Sequence, residues 1–434
     1  MTIVAIGIDV GTTRVKASVV SDDRQELRCF SAITPWRSVD GQLQVDLTEL
    51  GDVALGLAGD AARWSQDAGH EIAGIASTGM AETGALLDAD GTVIAPGFAW
   101  HHTLGNAARV REALSDFDMI AGRSCTLAPS IVKLDHLRAN GHRYAPGQTW
   151  LNVPDYMAWR LCGVRAAECS TSSRTGLVDI LNKRWWSDAL EFLGAGPWLV
   201  PDELLPTGTL LGTASGDIPT ALRGVPVSTG GHDHPMAALS VGGQEPGTLD
   251  MSLGTAEAQL RIVAPPLTGD QIRALVNAGA SVDIHPFGDR FTVLSALPTG
   301  MTLERLATML GACDRESRQA LSAQALTSQP APIRLHDVTL DDFGIAGISD
   351  GVTRAGVWRA AAEQLITDSA AATAKVEAIL GPPTCVKTFG GWIKDALVAH
   401  LRDQLGQRAY LDEPSEPGAM GAALMALARA GATA

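Results

Sequence analysis

Two Gly-Thr segments and two aspartates hold the chemistry that this sequence offers. Gly7-Ile8-Asp9-Val10-Gly11-Thr12-Thr13 and Asp250-Met251-Ser252-Leu253-Gly254-Thr255-Ala256 each place a glycine and a threonine at a predicted hairpin tip. Glycine lets the backbone approach an anion closely and adopt positive φ, and threonine adds a hydroxyl donor, so such a tip can cradle phosphate oxygens. Either tip alone also fits an ordinary turn. Two of them, one in each half of the chain, could hold the β and γ phosphates of ATP across a cleft. Gly390-Gly391, ahead of a predicted helix, offers a third phosphate or adenosine contact through a helix N-terminus, with a simple turn as the alternative. Asp9 stands just before the first tip, and Asp233 lies in Gly230-Gly231-His232-Asp233-His234-Pro235. Phosphoryl transfer needs metal ions to bridge phosphate oxygens and a carboxylate to align and deprotonate the attacking hydroxyl. Asp9 suits the metal and Asp233 the base. On position alone, Asp233 serves equally well as N-cap of a helix starting at Pro235.

The elements that must position these groups mix strands and helices, which argues an α/β or α+β class. Ile3 to Asp9 alternates in the strand manner and resumes as Val15 to Val20, a hairpin around the first tip. A helix is predicted over Leu50 to Ala68, a strand over Ile72 to Ser77, and a hairpin joining Ala85-Leu86-Leu87 to Val93-Ile94. Helices follow at Pro129 to Asn140 and Pro154 to Leu161, then a Ser/Thr-rich turn at Ser170 to Ser173. The second half holds a strand at Thr248 to Leu253, helices at Val357 to Leu380 and Ile393 to Leu405, and a short strand at Arg408 to Leu411. A terminal helix from Gly418 has small residues suited to close packing and no catalytic role. The two tips suggest an internal duplication with its boundary near Ser240 to Glu245. That predicts two domains, 1–243 and 244–434.

Composition narrows the partners. Acidic residues outnumber basic ones by 48 to 33, a net charge of −15, and no Lys/Arg cluster stands out, which argues against nucleic acid. Hydrophobic residues reach 46% and charged residues only 19%, enough apolar surface for a packed core. No apolar run approaches the ~20 residues of a membrane span. The N-terminus lacks a basic region and a small-residue cleavage site, so a cytoplasmic location is the expectation. The six cysteines are scattered without a C-x-x-C pair, which predicts buried free thiols rather than disulfides or a metal site.

The ordered set GIDVGTT (Gly7 to Thr13), GHD (Gly231 to Asp233), SLGT (Ser252 to Thr255), FGGW (Phe389 to Trp392) and GAMGAALMA from Gly418 resembles the FGGY family of carbohydrate kinases. Trp392 stands where the family's namesake motif has tyrosine. NVPDYMAWRLCG (Asn152 to Gly163), TSSRTGLVDI (Thr171 to Ile180) and RAAAE (Arg359 to Glu363) extend the likeness over essentially the whole chain. The resemblance implies two ribonuclease H-like domains of the actin-like ATPase type around a central cleft, closing over Mg-ATP and a sugar. It places Asp233 on the catalytic base and Asp9 on the acidic residue that helps hold magnesium. Gly11, Thr12, Thr13, Gly254 and Thr255 fall on phosphate-contacting positions, and Gly390 and Gly391 on the adenosine side.

The substrate half is less orthodox. Within STGMAETGALLD (Ser77 to Asp88), Glu82 matches the hydroxyl-binding glutamate of glycerol kinases, and Ala81 replaces their arginine, which weighs against glycerol. Trp100 matches the family tryptophan, but His101-His102-Thr103-Leu104 replaces the usual W-x-D-x-R run, so His102 is the candidate for the missing aspartate's substrate contact. His232 before the base resembles fuculose and rhamnulose kinases, and the segment around Asp337 to Gly347 is short. The resemblance implies phosphorylation of a small sugar, a pentulose or 6-deoxyhexulose, with a polyol of the glycerol or erythritol type as the alternative. A homodimer is compatible with it. From other classes come a regulatory ATPase of the same fold and an inactive sensor. A chaperone-like ATPase would add a peptide-binding domain for which the sequence leaves no residues, and loss of Asp233 would favour the sensor. A metal pair at His232-x-His234 of the amidohydrolase kind would need further ligands at later strand ends. Met80 reads as cleft wall or as core.

Overall fold

Alternation at the start of the chain decides the first sheet. Successive side chains of a strand point to opposite faces, so Val4, Ile6, Ile8 and Val10 form one apolar row while Ala5, Gly7 and Asp9 form the other. The computed structural model describes residues 2–101, 103–254, 256–339, 342–405, 416–429 and 431. Six strands build this sheet: β1 (Ile3–Val10), β2 (Arg14–Ser21), β3 (Glu26–Ile33), β4 (Glu71–Gly79), β5 (Leu210–Thr213) and β6 (Pro226–Ser228). Their spatial order is β5-β6-β4-β1-β2-β3, with β1 antiparallel to β2 and parallel to β4. Helix α1 (Leu47–Asp67) buries Leu50, Ala54, Ala58 and Ala61 against the row of Val4, Ile6 and Ile8. Asp46 caps it, its Oδ1 accepting from the N–H groups of Thr48 and Glu49. Met80 belongs to this same core.

The second sheet repeats the plan. Its strands β7 (Thr248–Leu253), β8 (Glu257–Val263), β9 (Ser281–Ile284), β10 (Phe291–Leu297) and β11 (Cys385–Phe389) run in the order β9-β10-β8-β7-β11. Each sheet therefore has three adjacent antiparallel strands with a parallel strand beside the first of them, although in the second sheet β9 comes between β8 and β10 in sequence. Helix α2 (Asp233–Ser240) lies between the sheets, with Ala238 against Ala258 and Leu260 of β8. A long helix, α3 (Arg354–Leu380), backs the second sheet.

The terminal helix crosses the boundary expected at residue 243. Helix α4 (Pro417–Arg429) does not stay with residues 244–405; its Ala422, Ala423 and Ala426 pack on Ala5, Val20 and Ala76 of the first sheet. Small residues permit this approach. A side chain at Gly7 would overlap the Ala419 carbonyl. The lobes also share a packed cluster in which Cys169, Val178 and Ile180 meet Ile272, Val282 and Ile284. Val282 N–H donates to the Gly122 carbonyl at 2.6 Å.

Other differences are local. Ser170 to Ser173, expected as a turn, belongs to the short helix Cys169–Ser173, because the Glu168 carboxylate caps the N–H groups of Ser170 and Thr171. Leu87 and Val93 share a single bridge, whereas Gly84–Leu87 pairs with Thr149–Asn152. The helix expected from Ile393 breaks into a turn at Gly391–Lys394 and a helix at Ala396–Gln404 capped by Asp395. The strand predicted at Arg408 to Leu411 lies outside the described residues. All six cysteines are free; Cys125 and Cys169 are buried, but Cys313 and Cys385 are exposed, which corrects their expected burial. Among the described residues no helix is long and apolar enough to cross a membrane.

Candidate active site

The hairpin between β1 and β2 leaves backbone donors unspent. Its carbonyls point back into the protein: Gly11 O accepts from Thr34 Oγ1 at 2.8 Å, Thr12 O from Trp36 Nε1 at 2.6 Å, and Thr13 O from Thr34 N–H at 3.1 Å. The N–H groups of Thr12 and Thr13 meet no acceptor among the described residues. With carbonyls anchored and amides unused, the tip presents donors outward. Thr12 Oγ1 accepts from the indole Nε1 of Trp100 at 3.0 Å. Trp100, expected at the sugar, is thereby tied to the hairpin tip proposed to hold phosphate.

Asp9 closes β1 on the face covered by α4. Its Oδ1 is buried and meets no donor, and its Oδ2 lies against Gly418 in the first turn of that helix. Burial, reinforced by the negative charge of Asp233, pushes the Asp9 carboxyl up to about 7, while Lys16 pulls it down. An orphaned acid beside a second acid is a good fit for a divalent cation such as Mg²⁺, whose charge would oppose both effects.

Asp233 occupies the first helical position of α2, with His232 as N-cap. The helix starts two residues earlier than predicted, and no side chain caps it, so the capping role is not what Asp233 performs. Its Oδ1 accepts from His234 N–H at 2.7 Å and lies 3.1 Å from His232 Nε2; Oδ2 receives no hydrogen bond among the described residues. His232 is buried, and burial, aided by the charges of Arg174, His234 and Arg123, holds its imidazole well below 6.5. With its proton on Nε2, the neutral ring donates to Asp233. Thr78 Oγ1 holds the loop by donating to Gly231 O at 2.6 Å, and Lys387 of β11 donates to Gly242 O at 2.5 Å just beyond α2. The base candidate therefore stands where the two lobes meet.

In the second lobe, Gly254 and Gly391 line one cavity of about 480 Å³, within the usual size range of ligand sites. Gly390 makes this possible: its φ is +110°, and a Cβ there would sit 2.5 Å from Leu253 O, so only glycine lets the β11 loop close on the β7 tip. Trp392 forms one wall, with the Arg318 guanidinium 5.3 Å from its ring centre. Arg318 pairs with Glu304, and Arg315 lines the same cavity without an ion-pair partner among the described residues. Sequence reading missed Glu304, Arg315 and Arg318. The alternating charges of Arg315, Glu316 and Arg318 look like any solvated helix face. Thr255 and His102 lie outside the described residues.

Glu82 takes a left-handed backbone (φ +62°) and is buried within an ion cluster. Its Oε1 accepts from Arg174 Nε at 2.8 Å and Arg123 Nη1 at 3.3 Å. Both arginines also pair with Asp283, which β9 brings from the second lobe. Only Oε2 is left for a ligand. Beside it Lys133, buried in the helix Ser130–Ala139, donates to the carbonyls of Ala128 and Trp100, and burial lowers its amine to about 8. Lysine amid Ile131, Val132 and Leu134 was the available signal, and it went unread.

Two sheets of shared plan, each with three antiparallel strands and a parallel neighbour, and helix α2 between them define the actin-like ATPase fold. Residues 4–240 match the N-terminal domain of the FGGY family of carbohydrate kinases, and the chain belongs to that family. An autoinducer-2 kinase of Escherichia coli (strain SMS-3-5 / SECEC) is 26% identical over 294 residues, covering 63% of this chain and 53% of that protein. The chain spans about half the length of the curated relatives it matches. The structure of a xylulose kinase from Rhodospirillum rubrum is similar with a TM-score of 0.85 at 22% identity, covering 98% of this chain and 90% of that one. Plasmodium falciparum glycerol kinase with ADP gives 0.86 at 14% identity, covering 99% and 90%. These likenesses support the fold.

Proposed function

We propose that this protein transfers the γ-phosphoryl group of ATP to a hydroxyl of a small sugar, a ketose of the pentulose or 6-deoxyhexulose type. The observation that carries the reading is Asp233, held at the junction of the lobes with Oδ2 free of protein donors and with Asp9 beside it. Asp233 accepts the proton of the sugar hydroxyl as that oxygen attacks the γ phosphorus. The bond from phosphorus to the β–γ bridging oxygen breaks, and ADP leaves. Asp9 would hold Mg²⁺, which when bound would offset negative charge on the phosphate oxygens. The amides of Thr12 and Thr13, which Gly11 lets approach closely while its own N–H donates to Arg14 O, and the Gly254-Thr255 tip receive the phosphates, and Gly390 and Gly391 the adenosine side. Glu82 Oε2 and His102 orient the sugar, while Trp100 fixes Thr12. The lobes, residues 1–243 and 244–434 with α4 returned to the first, close over the reactants so that water does not compete as acceptor. Relatives named for autoinducer-2 and xylulose support a ketose, and Ala81 speaks against glycerol.

An ATP-dependent screen of ketoses and polyols tests this. At least one ketose should give a phosphate ester, and Asp233→Asn should lower kcat below about 1% while leaving the Kd for ATP within about twofold, since a general base acts on chemistry rather than nucleotide binding. No product across the panel, or a variant that turns over at more than a few per cent, would refute it.

A further inference from the structure

His232, Asp233 and His234 bring two imidazole nitrogens and a carboxylate oxygen within 4.8 Å of one another. Ligands about 2.0–2.1 Å from a tetrahedral zinc ion lie roughly 3.4 Å apart, so a small inward turn of these side chains closes the site. The two rings already stand edge to face, 5.3 Å between centres and 87° between planes. The backbone beneath is fixed, with His232 N–H donating to Ser170 Oγ at 3.1 Å. Asp9, whose negative charge acts on Asp233, stands outside this group of three and stays with the ion that accompanies ATP. Arg123 and Arg174, whose charges act on His232, are paired with Glu82 and Asp283.

We infer that His232, Asp233 and His234 form a binding site for a divalent transition ion of the zinc class. Magnesium prefers six oxygen ligands and keeps its waters, whereas imidazole nitrogen selects zinc and cobalt. The ion therefore differs in chemistry from the one accompanying ATP. Its occupancy ties up the Asp233 carboxylate and makes it an inhibitor that competes with the sugar. That consequence rests on Asp233 being the base; binding of the ion does not.

The experiment uses the full chain with Cys313→Ser and Cys385→Ser, because these exposed thiols are rival soft ligands. Zn²⁺ is titrated in competition with a chromophoric chelator, and Co²⁺ is followed by its visible absorption, both with excess Mg²⁺. One equivalent should bind, with four-coordinate Co²⁺ bands. His234→Asn should weaken binding at least tenfold with an unchanged circular dichroism spectrum, and His234→Gln replaces it if the asparagine variant melts early. No stoichiometric binding in the serine background, or equal affinity after loss of His234, overturns the site. Zn²⁺ bound at the site without inhibition competitive with sugar would instead count against Asp233 as base.

Discussion

Replacing Glu82 by glutamine tests what holds the two lobes together. Glu82 Oε1 receives Arg174 through Nε and Nη2, at 2.8 and 2.6 Å, and Arg123 through Nη1 at 3.3 Å. The side chains of Glu82, Arg123 and Asp283 are 5%, 6% and 3% exposed, so little water is available to compensate. Two carboxylates now balance two guanidinium groups. Glu82→Gln leaves one cation uncompensated, and breaking a buried pair in this way costs about 3–5 kcal/mol. Glutamine keeps the volume and one acceptor oxygen, so about 3 kcal/mol is expected. Asp283→Asn should cost a similar amount. The double variant should lose at least about 1 kcal/mol beyond the sum, because Arg123 and Arg174 then face each other with no counter-charge. Urea unfolding read by tryptophan fluorescence and circular dichroism measures all three. Because Asp283 comes from the second lobe and the other groups from the first, the two probes should separate in the variants. A loss below about 0.5 kcal/mol, with coincident transitions, would refute the reasoning.

Other expectations follow from single contacts. Trp100→Phe removes the donor to Thr12 Oγ1; a neutral hydrogen bond is worth about 1 kcal/mol, so kcat/KM for ATP should fall roughly fivefold with little change in Tm, and an unchanged value would release Trp100 from this role. Gly390→Ala meets a φ of +110° and the Leu253 carbonyl, so it should cost at least about 1–3 kcal/mol and abolish nucleotide binding by calorimetry; wild-type affinity would contradict the geometry. Asp250 is buried with both carboxylate oxygens unpartnered, and burial raises it from 3.8 to about 7, with Lys387 opposing. A raised folded-state value means that its contribution to stability is present below pH 3.8 and lost as pH rises through 7. Asp250→Asn should therefore gain up to about 2–3 kcal/mol over wild type between pH 5 and pH 8, and parallel pH profiles would speak against it.

The two hairpin tips proposed to hold phosphate stand out in the sequence because the work proposed for them is local backbone work, and backbone demands show as glycine and threonine. Asp233 was legible as an acid beside glycines, although its helix begins two residues earlier than proline suggested. The Glu82 cluster was not, since Arg123 and Arg174 lie 41 and 92 residues away from Glu82 in sequence, and Asp283 lies 160 from Arg123. Nothing local announces such pairings. Ser170 to Ser173 misled because hydroxyl residues favour turns until a carboxylate, here Glu168, satisfies the amides of a helical turn. The hydrogen bond from Trp100 to Thr12 is likewise tertiary, joining residues 88 apart in sequence.

The return of α4 onto β1 sets a timetable for the growing chain. At ~5–20 residues per second, Ala419 leaves the ribosome roughly 20–80 s after Gly7, the residue against which it packs. Throughout that interval the face formed by Ala5, Val20 and Ala76 lacks its cover. The first lobe is thus the earliest made and among the last sealed, and nascent chains carry an adhesive surface until synthesis has passed through both lobes.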